Sequence, residues 1–179
     1  AAIHAVTEVE SRVSGFLDDG RPVILYERHQ MRRELHSAGI TSNQVEAWQT
    51  EHPGLVNAKP GGYRGGAAEH DRLDQAKALH EVAALSSCSW GAFQIMGYHA
   101  IRLGYQSVPV FVEMMKTSEG DHLDAFVRFV KADPSLHQAL IDHDWEAFAR
   151  GYNGPAYDKH DYDLRLAAAY RRHRRAIYG

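Results

Sequence analysis

From Ala67 to its end the chain repeats its apolar residues at helical spacing almost without interruption, so whatever it folds into is built mainly from packed helices. The periodic segments are 67–79, 81–85, 90–96, 110–118, 121–131, 135–141, 145–151 and 164–177. Upstream, Ala2, Val6, Val9 and Val13 form one stripe, which predicts a first helix to about residue 14, ended by Gly15. Asp18-Asp19-Gly20 is turn chemistry, and residues 22–28 alternate as a strand does, with Val23, Leu25 and Glu27 on one face. Residues 31–38 and 42–51 read as short helices, the second capped by Ser42 or Thr41 and turning Trp48 inward. Residues 53–66 are too rich in Gly and Pro for regular structure and suit a loop over a cleft. One strand or small hairpin in such a chain predicts a mainly α-helical α+β fold with a small β lobe. With 179 residues, no internal repeat and no long linker, a single domain over residues 1–179 is expected.

Charge and special residues narrow the chemistry. A net charge of −3 gives no global basic field, so nucleic acid is not an expected partner. Arg165, Arg171, Arg172, Arg174 and Arg175 are a local exception, either a solvated helix face or a basic tail for an anionic surface such as bacterial outer-membrane lipid or the cell wall. The single cysteine, Cys88, excludes an internal disulfide and a cysteine-based zinc site. The twelve histidines contain no His-Glu-x-x-His pattern, so no metal site is expected, and the Gly-rich loop lacks the Lys-Ser/Thr of a phosphate-binding loop. No apolar stretch is long enough to span a bilayer, and the first residues lack the order of a signal peptide. The chain opens directly in a helical pattern without a start signal, as the C-terminal module of a longer chain would.

Glu10 stands on the apolar stripe of the first helix, an expensive place for a charge. Burial disfavours the carboxylate and raises its pKa, which is the state a general acid needs to protonate a glycosidic oxygen near neutral pH. Periodicity alone leaves open a core-edge glutamate bonded to a backbone group or an arginine.

Three motifs give that glutamate a context. Val9-Glu10-Ser11-Arg12-Val13-Ser14-Gly15-Phe16 resembles the glutamate-serine opening of goose-type lysozymes and lytic transglycosylases. Ser89-Trp90-Gly91-Ala92-Phe93-Gln94-Ile95-Met96 resembles their Gly-Leu-Met-Gln-Ile segment, and Gly151-Tyr152-Asn153-Gly154 their Ala-Tyr-Asn motif. Over nearly the whole chain, residues 19–29, Gly61-Gly62-Tyr63, Ser89-Trp90-Gly91 and residues 151–155 are similar to the N-acetylmuramidase domain of modular phage endolysins. Val13, where glycine would be expected, and Phe93, in place of Leu or Met, depart from the pattern at packing positions.

The resemblance implies a lysozyme-like fold, Glu10 as catalytic acid, and cleavage of the β-1,4 bond between N-acetylmuramic acid and N-acetylglucosamine in peptidoglycan. It implies no cofactor. A lytic transglycosylase acting on the same bond, or a wall-binding module without activity, are the rival readings. The expected partner is the peptidoglycan glycan strand, met by a monomer made in the bacterial host cytoplasm and acting in the periplasm.

A second carboxylate usually serves glycoside hydrolysis, and Glu27 at the strand end is the first candidate, ahead of Asp18 and Asp19. Glu27 could instead pair structurally with Arg28, Arg12 or His29. Ser89, Gln94, Tyr152, Asn153, His29 and Tyr63 complete the candidate substrate-binding set. Gln94 can accept and donate at once, as an N-acetyl group requires, and Tyr152 offers a ring face and a hydroxyl. Trp90 and Phe93 read as core.

Overall fold

The computed structural model describes residues 1–10, 14–154 and 161–178; it does not extend to the side chains of Glu10, Asn153 and Tyr178. The chain folds as two compact units, residues 15–125 and residues 1–14 with 126–179.

The first unit holds the β lobe. A three-stranded antiparallel sheet has the order β1 (Ile24–Tyr26), β2 (Cys88–Trp90), β3 (Ile95–Met96). β1 pairs with β2 through Ile24 against Trp90 and Tyr26 against Cys88, and the ladder is prolonged by Gly91 N–H to the Val23 carbonyl at 2.8 Å and Glu27 N–H to the Ser87 carbonyl at 3.0 Å. Alternation follows from the pleat. Ile24 and Tyr26, with Cys88 and Trp90 opposite them, are buried, while Val23, Leu25 and Glu27 lie on the half-exposed face as the sequence predicts.

Against the buried face pack α2 (Arg28–Ser37), α4 (Ala67–Leu79) and α5 (Glu81–Ser86), with Met31, Leu35, Leu73, Ala76, Ala83 and Ala84 in the core. Trp90 Nε1 donates to the Leu85 carbonyl at 3.2 Å and the Tyr26 hydroxyl to the Leu55 carbonyl at 2.8 Å. α3 (Ser42–Glu51) packs on α2, capped by Thr41, whose Oγ1 accepts from Gln44 N–H. It buries Val45, leaving Trp48 half-exposed rather than turned fully inward. A short 3-10 helix (Gly97–His99) and α6 (Val108–Met115) follow, then the start of α7 (Glu119–Lys131).

Two expectations are corrected in this unit. Residues 90–96 form the β2–β3 hairpin rather than a helix: Gly91 and Gln94 take φ of +69° and +50°, which a helix cannot accommodate, and the apolar residues Trp90, Phe93 and Ile95 are buried all the same. Short apolar runs do not distinguish the two states by periodicity. The strand of residues 22–28 is shorter, because the chain turns into α2 at Arg28, three residues earlier than the apolar pattern predicts.

In the second unit α1 (Ala2–Glu10) lies on α10 (Tyr162–Tyr178), and α8 (Pro134–Asp142) packs against α9 (Trp145–Asn153). Ala5, Val6 and Val9 of α1 are buried, as are Leu136, Ala139, Phe148, Ala149, Leu166 and Ala169. Local chemistry sets these helices. Asp133 accepts from Ser135 and Leu136 N–H ahead of Pro134, and Asp144 accepts from Ala147 N–H. α10 carries the five C-terminal arginines and runs two residues further at its start than the apolar pattern predicts.

Candidate active site

The best-defined polar cluster of the β lobe grows from the end of β1. Glu27 is the N-cap residue of α2, yet its side chain makes no capping bond. Its Oε2 accepts from the Tyr63 hydroxyl at 2.8 Å and lies 3.2 Å from His29 Nδ1, while Oε1 has no partner among the described residues. Burial first, and the bond to Glu27 second, push the Tyr63 hydroxyl above its ordinary pKa, so it stays protonated as a donor through neutral pH.

Tyr63 reaches Glu27 because the Gly-rich loop is pinned from below. Arg28 donates to the carbonyls of Lys59, Pro53 and Pro60 at 2.9, 3.1 and 2.9 Å. Arg72, on α4, donates to the carbonyls of Tyr26 at 3.0 Å and Gly54 at 2.8 Å. Gly62 takes φ +78°, a backbone conformation that favours glycine, beside both guanidinium groups.

Under the loop lies Glu69, fully buried, with its carboxylate accepting from the backbone N–H of Arg64, Gly65 and Tyr26 at 2.5, 3.1 and 3.0 Å and from Arg72 at 2.8 Å. Burial alone would raise its pKa. The three backbone donors and the Arg72 guanidinium outweigh that and hold it below the usual carboxylate range. Loop, strand and α4 are thereby joined through one ion pair. Glu69 and Arg72 are absent from the sequence-predicted set, where they read as part of an ordinary helix; the available signal was an acid and a base three residues apart directly after the loop.

On the same sheet face, Ser89 stands opposite Leu25 in the register and so shares the side that carries Glu27. Its Oγ donates to Gln94 Oε1 at 2.6 Å, and Gln94 Nε2 donates to the carbonyls of Gly91 at 2.9 Å and Val23 at 3.4 Å. The amide of Gln94 therefore staples its own hairpin. Its carboxamide oxygen keeps one lone pair for a ligand. Four residue steps from Val23 to Glu27 separate the two polar clusters by about 13 Å along the strand, with Leu25 between them.

His122, also outside the sequence-predicted set, braces this hairpin. Its Nδ1 accepts from Ala92 N–H at 3.2 Å and its Nε2 donates to the Met115 carbonyl at 2.7 Å. The ring stacks on Phe16 at 4.8 Å and fills the space that a Cβ would need at Gly15 or Gly91.

The remaining candidates are placed as follows. Asp19 is occupied by Arg21 at 2.7 Å, and hydrogen bonds from that side chain and backbone lower its pKa, so as a second carboxylate it is already engaged. Asp18 lies in the same turn. Tyr152, in the other unit, is half-buried, with its ring edge-on to Phe126 and Phe129 and stacked at 5.8 Å on Phe148. Glu10 is the last residue of α1 and Asn153 the last of α9, with side chains outside the described part of the structure. Among the described residues no three His, Cys, Asp or Glu side chains gather as metal ligands.

Comparison with curated proteins gives no match. Among solved structures, the chain is similar to the crystal structure of a Burkholderia AP3 phage endolysin, with a TM-score of 0.92 and 51% identity over 97% of this chain. It spans 65% of that endolysin's length. The lysozyme-like α+β fold expected from the motifs is thus the fold observed. The model of the N-acetylmuramidase family matches residues 1–174, and the chain belongs to that family.

Proposed function

We propose that this chain is a glycoside hydrolase domain of endolysin type that cleaves the β-1,4 bond between N-acetylmuramic acid and N-acetylglucosamine in bacterial peptidoglycan. The observation that carries the reading is the family match over residues 1–174, joined to the 51% identity with a phage endolysin. The described chain acts as one catalytic domain, as a monomer, on the glycan strand.

Glu10 is the acid in this reading. It protonates the leaving glycosidic oxygen, whose bond to the anomeric carbon then breaks. Glu27 is the second carboxylate. Its Oε2 is held by Tyr63 and faced by His29, which orients the group and leaves Oε1 to accept a proton from water as general base. Ser89 and Gln94 meet the N-acetyl sugar at the far end of the same sheet face, through the remaining lone pair on the Gln94 carboxamide oxygen. Asn153 orients a sugar or braces the acid, and Tyr152 offers a ring face and a hydroxyl to a sugar.

The C-terminal arginines add an anionic-surface contact. Arg171, Arg172 and Arg175 line a groove of about 430 Å³ on α10 with Ala168 and Ala176. Basic side chains on a helix face favour anionic lipid. The test of the main reading is digestion of purified peptidoglycan by wild type and Glu10→Gln. A reducing-end muropeptide that vanishes in E10Q supports it; anhydromuramic ends would make the enzyme a transglycosylase, and no release at all would leave a wall-binding module.

A further inference from the structure

α8 is closed by His143, which takes the left-handed conformation, φ +58° and ψ +30°, with its N–H on the Ala139 carbonyl. Glycine is the usual residue there, since a side chain is strained, although histidine tolerates the conformation better than most. Such strain persists where the surroundings hold it and is often tied to use. Two other rings hold this one. His143 lies 4.3 Å from the Tyr170 ring of α10, tilted by 32°, and 5.6 Å from the Trp145 ring that opens α9, tilted by 35°. Trp145 and Tyr170 stand 5.2 Å apart.

All three belong to one compact unit. His143 is exposed and the other two are half-buried, so the cluster is open to solvent rather than closed into the core. Neither Trp145 Nε1 nor the Tyr170 hydroxyl bonds to another described residue, which leaves both polar tips to a ligand. Exposed carboxylates flank the rings. Asp142 accepts from Gln138 at 2.9 and 3.0 Å, and Asp144 Oδ1 accepts from Ala147 N–H at 3.0 Å, leaving Oδ2 open.

We propose that His143, Trp145 and Tyr170 form a second glycan-binding site, which grips one pyranose of the peptidoglycan strand; that substrate rests on the muramidase reading. A pyranose presents C–H groups on its face and hydroxyls at its rim, and this patch offers ring surface with polar atoms around it. Asp142 and Asp144 accept from sugar hydroxyls and repel the carboxylates of a stem peptide, so the sugar is the part recognised. A second grip on an insoluble polymer raises the effective concentration of the strand at the first.

The experiment has two readouts for wild type, His143→Gly, His143→Asn and Tyr170→Leu, with Tm for each. The first is intrinsic fluorescence during titration with a β-1,4-linked N-acetylglucosamine oligomer, with Trp145→Phe assigning the change to Trp145. Both His143 variants should weaken that binding about twofold to tenfold. The second is digestion of insoluble sacculi against a short soluble fragment of the same glycan. KM on sacculi should rise by a similar factor in H143G, H143N and Y170L, while the soluble fragment is cut as by wild type. H143G relieves the strained position, so its Tm should hold or rise even as binding falls.

Wild-type affinity for the oligomer in both His143 variants overturns the proposal, as does an equal loss on sacculi and on the soluble fragment. A lower Tm in H143G with KM on sacculi unmoved makes the ring a structural lock and overturns it too. Should Y170L not fold, the His143 variants carry the test. Digestion by wild type with the variants unaffected removes this site alone. A wild type that binds the oligomer at Trp145 yet cuts neither substrate removes the muramidase reading and leaves a glycan-binding patch.

Discussion

Glu69 shows how much a single buried carboxylate can hold in this fold. It ties three backbone N–H groups and Arg72 together at the root of the Tyr63 loop. Removing one partner of such a pair leaves an uncompensated buried charge, so Glu69→Gln should cost about 3–5 kcal/mol, measured by denaturant unfolding. Its pH dependence has a definite sign. With a folded pKa below the usual 4.5, Glu69 contributes stability that is complete above that value and is lost as pH falls through the folded pKa. Acid unfolding of wild type below about pH 4.5 should therefore flatten in E69Q. Tyr63→Phe asks a narrower question. It removes the donor to Glu27 Oε2 while leaving the ring, and should lower kcat about tenfold with little change in Tm if Glu27 is the base. An unchanged kcat would reduce Glu27 to a structural role.

At the scale of elements, the hairpin of β2 and β3 is where sequence and structure parted. The apolar spacing of Trp90, Phe93 and Ile95 suits a buried face of either kind, and what decides is Gly91, free to take φ +69° with His122 packed where a side chain would stand. His122 lies thirty-one residues away in the sequence, so no local pattern announces it. β1, α3 and the C-terminal helix were legible because their periods, and the Thr41 cap of α3, are local. Glu27 was legible as an outlying polar residue on an alternating strand, whereas the Glu69–Arg72 pair depends on tertiary burial that periodicity does not report. Gly97 makes the same point about packing: a Cβ there would meet the Leu85 carbonyl oxygen at 2.3 Å and Ser86 Cα at 3.0 Å. Gly97→Ala should cost about 1–3 kcal/mol by overpacking, read as a Tm lower by about 2–4 °C per kcal/mol.

For the molecule as a whole, two compact units divide the proposed machinery. Glu27, Tyr63, Ser89 and Gln94 belong to residues 15–125, and Glu10, Tyr152 and Asn153 to the other unit. The basic α10 sets a separate expectation. Replacing Arg171 and Arg175 by Gln, which spares the Arg172 and His173 contacts to Glu8, should impair lysis of intact Gram-negative cells while sparing digestion of isolated walls, since surface attraction acts before the wall is reached. Equal loss on both substrates would contradict a surface role. The central claim is that this family member hydrolyses the muramyl bond with Glu10 as acid, and mass spectrometry of purified peptidoglycan digested by wild type and E10Q tests it most directly. The account predicts reducing-end muropeptides from wild type and a loss larger than about a hundredfold in E10Q; anhydromuramic products, or an E10Q that keeps more than a few per cent of the activity, would contradict it.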